Sequence, residues 1–201
     1  MKPIFAVLAV LALLLAGCQA YPFAPANPPP PPTCEELAQQ EQSPENLPFE
    51  TIAREYDQGY TQEKPALIIL AASDEIPDIE PYISQKAATS LRDVNFNDSL
   101  IVAAFSGWKP FAGFAFCITS IQRKSQEIVL HAHLIQQIGS IAAEAASYYH
   151  LVQLQKEVLP PGEVTFHLAL TRHEYVNPTG RQQVLETSQE EIVTSVTRSL
   201  P

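Results

Sequence analysis

Residues 113–135 read GFAFCITSIQRKSQEIVLHAHLI, and this stretch decides the fold. In its second part, Ile128 to Ile135, successive side chains alternate between an apolar face and a face that carries two histidines, which is the pattern of a strand. The first part, Gly113 to Ile121, is apolar and rich in aromatic residues, and the polar residues 123–126 that follow it are typical of a turn. Two strands joined by a short turn predict antiparallel pairing.

Four further segments have the composition of strands. Ala66 to Ala71 and Leu100 to Phe105 are short continuous apolar runs, which favour strands that are buried on both faces. Tyr148 to Leu154 is another strand candidate. Val164 to Leu170 alternates, with Val164, Phe166, Leu168 and Leu170 expected to face the core.

One helix is predicted between the first two of these strands. Asp78 is a suitable N-cap, and Pro81 is tolerated in a first helical turn. Apolar residues then recur on one helical face from Ile79 to Leu91. The order of elements therefore predicts an α+β fold, with a predominantly antiparallel sheet and one packed helix, over residues 49–172.

The N-terminal residues have the features of a bacterial lipoprotein. Lys2 precedes an apolar run of 13 residues, which has the length of a signal-peptide core and is too short to span a bilayer. Leu15-Ala16-Gly17-Cys18 resembles the lipobox at which cleavage precedes a lipidated cysteine. Residues 1–17 are therefore predicted to be a signal peptide, and Cys18 is predicted to carry the lipid that holds the protein at a membrane, outside the cytoplasm.

Residues 18–48 are predicted to be a disordered tether, because this segment holds half of the 18 prolines and lacks Lys and Arg. A proline-rich ligand for a partner domain is the alternative. At the other end, residues 173–201 are weakly patterned. Ile192, Val193 and Val196 have helical spacing, so that a short helix and a frayed tail both stay open.

Composition and motifs exclude several classes of function. The net charge is −10 and no basic run is present, which argues against nucleic acid as a partner. Three cysteines cannot form a disulfide-rich scaffold or a zinc site of paired CxxC motifs. The sequence lacks G-x-S-x-G, H-E-x-x-H, P-loop and G-x-G-x-x-G patterns. We therefore expect a protein without enzymatic activity, catalytic residues or cofactors.

His131 and His133 are the only weak candidates for a metal site. Two histidines at i and i+2 of a strand point the same way and could bind one Zn or Cu ion, with His167 on a neighbouring strand. The alternative is that they are polar residues on the solvent face of an antiparallel sheet.

The two remaining cysteines leave one open question. Cys117 lies within an apolar strand and is expected to behave as a small core residue, whereas Cys34 belongs to the tether. A Cys34–Cys117 disulfide would be compatible with an oxidising envelope, and we expect it to require Cys117 at the surface.

Several short motifs follow one another within residues 65–156. They are VNFNDSLIV at 94–102, GWKPFAGF at 107–114, the two hairpin strands ending in 118–121 and spanning 128–135, and YYHLV at 148–152. Their order resembles that of the PrcB C-terminal domain family, named after a lipoprotein subunit of a surface protease complex. The resemblance implies an accessory role to a partner protein, a protease being the implied class.

Three aromatic residues follow the predicted strand Leu100 to Phe105, and the last of them begins the predicted strand Gly113 to Ile121. Their position admits two interpretations. Trp108, Phe111 and Phe114 either fill the core of a hairpin or lie exposed at its tip and bind the partner. The expected function is that of a lipid-anchored, partner-binding protein of the cell envelope. The alternative function is a small-ligand or metal-binding envelope lipoprotein that uses the His131/His133 face or a pocket of the sheet.

Overall fold

The structure is a computed structural model that describes residues 30–110, 113–137, 145–176 and 184–200. Within these residues the chain forms two α-helices, nine strands and three short 3-10 helices. In chain order the helices and strands are α1 (Cys34–Gln40), β1 (Glu50–Asp57), β2 (Ala66–Leu70), α2 (Gln85–Arg92), β3 (Ser99–Lys109), β4 (Phe114–Lys124), β5 (Glu127–Gln136), β6 (Ala146–Gln155), β7 (Gly162–Val176), β8 (Val184–Thr187) and β9 (Glu191–Leu200). The 3-10 helices are Ser73–Asp78, Glu80–Tyr82 and Lys156–Val158.

The strands form two sheets, and the fold belongs to the α+β class. The first sheet has the strand order β1-β6-β3-β2 and is antiparallel throughout. The second has the order β4-β5-β7, and β9 and β8 pair one after the other with successive stretches of the far edge of β7. The prediction of antiparallel pairing is wrong for β5 and β7, which are parallel. Between these two strands the chain forms β6, which belongs to the first sheet. β5 and β7 are therefore not joined by a short turn, and a short turn is the basis of the antiparallel prediction.

Apolar side chains from both sheets meet in the main core. The alternation of β5 and β7 is confirmed, because the inward-facing residues of both strands are fully buried in this core. These residues are Ile128, Leu130, Ala132, Leu134, Val164, Phe166, Leu168 and Leu170. A second apolar cluster lies on the other face of the first sheet, beneath α2 and the first two 3-10 helices. A third, much smaller cluster lies beneath α1.

The predicted helix is shorter than expected. Ser84, not Asp78, caps it, and the Ser84 hydroxyl accepts the Ala87 amide at 3.1 Å. The preceding residues form two 3-10 helices, each with a proline, because proline lacks the N–H that an α-helix needs after its first turn. Ile79 and Leu91, the ends of the predicted apolar face, are nevertheless fully buried.

The segment between β3 and β4 connects the two sheets and is not a paired hairpin, since β3 pairs with β2 and β6 and β4 pairs with β5. Gly107 lies at a bulge in β3 with φ of 78°, and a Cβ atom there would lie 2.3 Å from the Glu63 carbonyl oxygen. Only glycine, which lacks a Cβ atom, allows this close approach of two backbone segments.

Both ends of the described chain are more ordered than the sequence indicates. The expectation of a disordered tether up to residue 48 is wrong for its last part, because Thr33 and Glu36 form a reciprocal capping box that starts α1. At the other end, β7 continues to Val176 and β9 pairs with β7 over Gly162 to Leu170. A C-terminal helix is therefore not formed between 184 and 200.

Candidate functional site

One of several surface concavities among the described residues lies where the edges of the two sheets meet. β1 is the edge strand of the first sheet and β4 is the edge strand of the second. Between their ends opens a cleft of about 330 Å³, which we call the edge cleft. Its walls come from the start of α1 (Thr33, Cys34, Glu35), from β1 (Arg54, Glu55, Tyr56), from β4 (Phe114, Ala115, Phe116), and from Gln137 and Tyr148.

Aromatic rings form one wall of the edge cleft. Tyr148 lies between Tyr56 and Phe114, with ring centroids 5.8 Å and 6.1 Å away. Its hydroxyl accepts the backbone amides of Gly113 and Phe114 at 2.9 Å and 3.2 Å. Tyr56 is 62% exposed, the highest exposure among the large apolar or aromatic residues that the structure describes. The wall is therefore rigid at Tyr148 and open to solvent at Tyr56.

Another part of the cleft lining is polar. Arg54 Nη2 donates to Glu35 Oε1 at 2.8 Å, and both side chains are largely exposed. The hydrogen bond from Arg54 lowers the pKa of Glu35, so this carboxylate is ionised at neutral pH. An exposed ion pair of this kind is weak, because water and salt screen both charges, and an incoming charged group can replace either partner.

A disulfide fixes α1 at the cleft. Cys34 and Cys117 are bonded, with Cα atoms 6.1 Å apart. The expectation that Cys117 must reach the surface is wrong: Cys117 is 1% exposed, and α1 instead brings Cys34 to the outer face of the sheet. Leu37 and Ile135 complete the small apolar cluster around the bond.

Glu41, directly after α1, is held by a chain of hydrogen bonds across the second sheet. His133 Nε2 lies 2.7 Å from Glu41 Oε1, and His133 Nδ1 lies 3.0 Å from His173 Nε2. The Thr119 hydroxyl donates to the other carboxylate oxygen at 2.5 Å. Burial opposes ionisation of Glu41, but the hydrogen bonds from His133 and Thr119 outweigh it and lower its pKa to about 2.

The chain continues from His173 to β8, where the Thr187 hydroxyl lies 3.0 Å from His173 Nδ1. One placement of the ring protons satisfies every link, with Thr187 donating to His173, His173 to His133, and His133 to Glu41. Burial lowers the pKa of His173, which favours the neutral form of this residue. The arrangement joins the N-terminal and C-terminal ends of the domain through its second sheet.

The two metal-ligand candidates point the same way, as strand alternation requires. Both are hydrogen-bonded to carboxylates: His133 to Glu41, and His131 to Glu190 at 2.7 Å from its Nδ1. His131 Nε2 is buried without a partner in the structure. Across residues 30–110, 113–137, 145–176 and 184–200, no group of three or more His, Cys, Asp or Glu side chains is placed to hold a metal ion. His167 bonds the Ser195 hydroxyl instead.

His150 is buried between the two edge strands and has a structural role. Its Nδ1 accepts the backbone amide of Ile118, at the edge of β4, and its Nε2 lies 2.9 Å from the Thr51 hydroxyl of the β1 strand. Burial, assisted by the charge of Arg54, lowers the pKa of His150 to about 3. A neutral imidazole therefore links the two sheets between β1 and β4.

The partner-binding candidates divide into three cases. Phe114 is partly buried and lines the edge cleft. Trp108 is partly exposed and lies opposite Ser147, the residue before Tyr148. Phe111 and the predicted lipidation site Cys18 lie outside the described residues.

Sequence reasoning missed Tyr56, Arg54 and Tyr148 as parts of one surface. A signal for the first two exists in Arg54-Glu55-Tyr56, where two large side chains with the same strand parity flank an acidic residue. No pattern in the sequence indicates that β1 and β4 are neighbours, because they belong to different sheets.

Comparison with models of protein families, with curated proteins and with solved structures found no match to this chain. Within the described part of the chain, no helix has both the length and the apolar composition that a bilayer span requires.

Proposed function

We propose that this protein is a lipid-anchored component of the bacterial cell envelope, without enzymatic activity, whose β domain binds a partner protein. Cys18 carries the lipid, and the proline-rich residues that follow it separate the domain from the membrane surface. The resemblance to the PrcB C-terminal domain family makes a protease the class of partner to test first.

One observation carries the proposal of partner binding. Tyr56, Phe114 and Trp108 retain exposed surface although the domain has two extensive apolar cores in which aromatic side chains could be buried. Exposed aromatic residues beside a concave site are typical of protein-binding surfaces, because they offer large contact area and lose little conformational freedom on binding.

The experiment is capture of the tagged full chain from detergent-solubilised membranes, followed by identification of the proteins recovered. We expect one or more proteins to be recovered with the wild type, and several-fold less of the same protein with Trp108→Ala. Ile192→Ala is the matched control, because Ile192 is 60% exposed on β9 and lies far from the cleft in the sheet order. Equal recovery by the wild type and Trp108→Ala would contradict the proposed surface.

The lipid anchor is tested separately. Cys18→Ser should move the protein from the membrane fraction to the soluble fraction, because the thiol that accepts the acyl chain is absent. Retention of Cys18→Ser in the membrane fraction would argue against the anchor while leaving the partner-binding proposal standing.

The edge cleft also supports binding of a small ligand as a second candidate function. Its volume of about 330 Å³ lies at the lower end of the range of small-molecule sites, and aromatic and polar side chains line it together. Metal binding at His131 and His133 has less support, since carboxylates already hold a ring nitrogen of each. A ligand of either kind should raise the melting temperature, because it stabilises only the folded state.

A further inference from the structure

We propose that the His133–His173 pair is an acid-sensitive latch, which holds β8 on β7 while at most one of its rings is charged and releases β8 when both rings are charged. Both residues are buried, with 5% of each exposed, on the outer face of the second sheet. Neither residue lines the edge cleft, so this inference goes beyond the proposed partner binding and does not depend on it.

The contact between the two rings has room for one proton. His133 Nδ1 lies 3.0 Å from His173 Nε2, and the stacked rings have centroids 5.2 Å apart. A hydrogen bond at this distance needs a proton on one nitrogen and a lone pair on the other. If both nitrogens carry protons, the hydrogen bond is lost and two positive rings face each other at close range.

A first additional proton leaves every link of the chain intact. His133 then carries a proton on each nitrogen and donates to the Glu41 carboxylate on one side and to His173 on the other. His173 keeps its single proton on Nδ1 and donates it to the Thr187 hydroxyl, which can accept as well as donate. The positive charge lies beside Glu41, where a carboxylate oxygen 2.7 Å away stabilises it.

A second additional proton goes to His173 Nε2 and breaks the link between the rings. No lone pair is then left at the 3.0 Å contact, and the charge on His173 faces the charge on His133. Because close-packed rings of like charge repel, His173 must turn away from His133. The protonation of His173 is therefore the step that opens the latch.

The surroundings of the pair oppose this second proton until the solution is acidic. Burial lowers the pKa of His173, the charge of a protonated His133 lowers it further, and the Glu41 carboxylate raises it without offsetting these two effects. The other charged or titratable groups around the pair are His131 and Glu190 on the same face and, on the other face by strand alternation, Arg172, Glu174 and Glu186.

His173 differs in its contacts from the other histidines of the same face. His131 and His133 each contact a carboxylate oxygen at 2.7 Å, and His167 Nε2 lies 4.0 Å from Glu127. Among the described residues, no carboxylate forms a hydrogen bond or an ion pair with His173. A proton on any of the other three histidines therefore has a negative charge beside it, whereas a proton on His173 does not.

β8 is short and mostly exposed, so a small local change suffices to release it. It has four residues and pairs with only the last four residues of β7, His173–Val176. Thr187 is exposed, yet its hydroxyl contacts the buried His173 ring and ties β8 to the pair. Segments with few buried contacts open at a low cost in free energy. We expect β8 to open when His173 turns, while the pairing of β7 with β9 persists.

The test is amide hydrogen exchange of β8 in the full chain between pH 7.5 and pH 4.5, expressed as protection relative to an unstructured peptide at the same pH. Glu41, with a pKa of about 2, stays ionised over this range. We expect the protection of β8 to fall at least about tenfold in the wild type. His173→Gln, whose side chain cannot take up a charge, should show less than about a twofold change.

His167→Gln is the matched control. His167 lies on the same strand and face as His173 but bonds the Ser195 hydroxyl, so this variant should behave as the wild type does. Equal pH dependence of β8 protection in the wild type and in His173→Gln would overturn the proposal.

Imidazole nitrogen NMR of the wild type provides a test that needs no variant. The nitrogen chemical shifts of each ring report its charge at every pH. We expect the pair to take up its two protons in separate steps at least about one pH unit apart, and β8 protection to be lost in the second step. A single shared step, or full protonation of both rings while β8 stays protected, would overturn the proposal.

Discussion

Breaking the Cys34–Cys117 disulfide should lower the free energy of unfolding by several kcal/mol. The bond closes a loop between residues 83 positions apart, and thereby restricts the unfolded chain far more than the folded one. The chain-entropy relation gives about 15 cal/mol/K for a loop of this length, or about 4.5 kcal/mol at 25 °C. The two thiols would remain in an apolar cluster where reduced cysteine is well tolerated, so the loop entropy should dominate.

Reduction of the disulfide should destabilise α1 more than it destabilises the two sheets. The helix has seven residues, too few to be stable alone, and Cys34 and Leu37 are its only buried side chains. After reduction, Leu37, the bonds of Glu41 and the exposed Arg54–Glu35 ion pair would hold α1 in place. We therefore expect amide exchange in α1 to accelerate more than exchange in β3 and β6, which lie in the centre of the first sheet.

The assay is urea unfolding of the oxidised and reduced full chain in a Cys18→Ser background, which leaves only the paired cysteines. Cys34→Ala/Cys117→Ala is the control, because a reductant should have no effect on it. A thiol count that finds both cysteines free after expression in an oxidising compartment would refute the pairing. A difference below about 1 kcal/mol between the oxidised and reduced forms would refute the loop argument.

Three further predictions concern single residues. The pKa of His150 is lowered to about 3 from 6.5, so the unfolded state binds more protons than the folded state between pH 3 and pH 6.5. The free energy of unfolding should therefore fall as the pH drops, by on the order of 3 kcal/mol at pH 4. His150→Gln should make the free energy of unfolding, measured with urea, less dependent on pH in this range. The pKa of Glu41 is lowered to about 2 from 4.5, so its contribution is complete above about pH 4.5 and is lost towards pH 2. Glu41→Gln should therefore cost on the order of 1–2 kcal/mol at pH 7 and close to nothing at pH 2, and an equal cost at both would contradict the role of the carboxylate. Gly107→Ala should lower the melting temperature, and should lower the free energy of unfolding by about 2 kcal/mol or more. The reason is that the new Cβ atom would lie 2.3 Å from the Glu63 carbonyl oxygen, and that φ at this position is 78°. An unchanged melting curve would contradict this prediction.

The sequence correctly predicts the strands in which residues that face the core alternate regularly with residues that do not. β5 and β7 alternate because the main core covers one face of each, and their inward residues match the prediction residue by residue. β1 is missed because it buries little: Ala53 is its only buried side chain. The candidate site lies between β1 and β4, and of these two edge strands only β4 could be predicted from its apolar composition.

β9 is missed for a different reason. Ile192, Val193 and Val196 have helical spacing, yet they lie on a strand. The register with β7 shifts between Thr194 and Ile192, so that Val193 is an extra residue that breaks the period of two. A bulge in a strand and a turn of a helix give the same apolar spacing over so few residues, and only the pairing with β7 distinguishes them.

The surroundings of the β5 face that carries His131 and His133 could be predicted only in part from the sequence. Strand alternation correctly places His131 and His133 on one face, opposite the main core. What covers that face could not be predicted, because Glu41 and Glu190 lie 92 and 59 residues away and belong to segments without a clear pattern. Contacts of this range depend on the tertiary path of the chain, and they turn two apparent metal ligands into the hydrogen-bonded partners of carboxylates.

The disulfide and the edge cleft are connected through α1, so the proposed partner binding should depend on oxidation. Thr33, Cys34 and Glu35 form one wall of the cleft, and the bond from Cys34 to Cys117 holds that wall in place. Reduction should therefore weaken partner capture under conditions in which the two sheets remain folded. Glu41→Gln should act in the same direction but less strongly, since it loosens only the C-terminal end of α1. Unchanged capture by reduced protein with α1 amides in rapid exchange would show that the partner contacts the sheets alone.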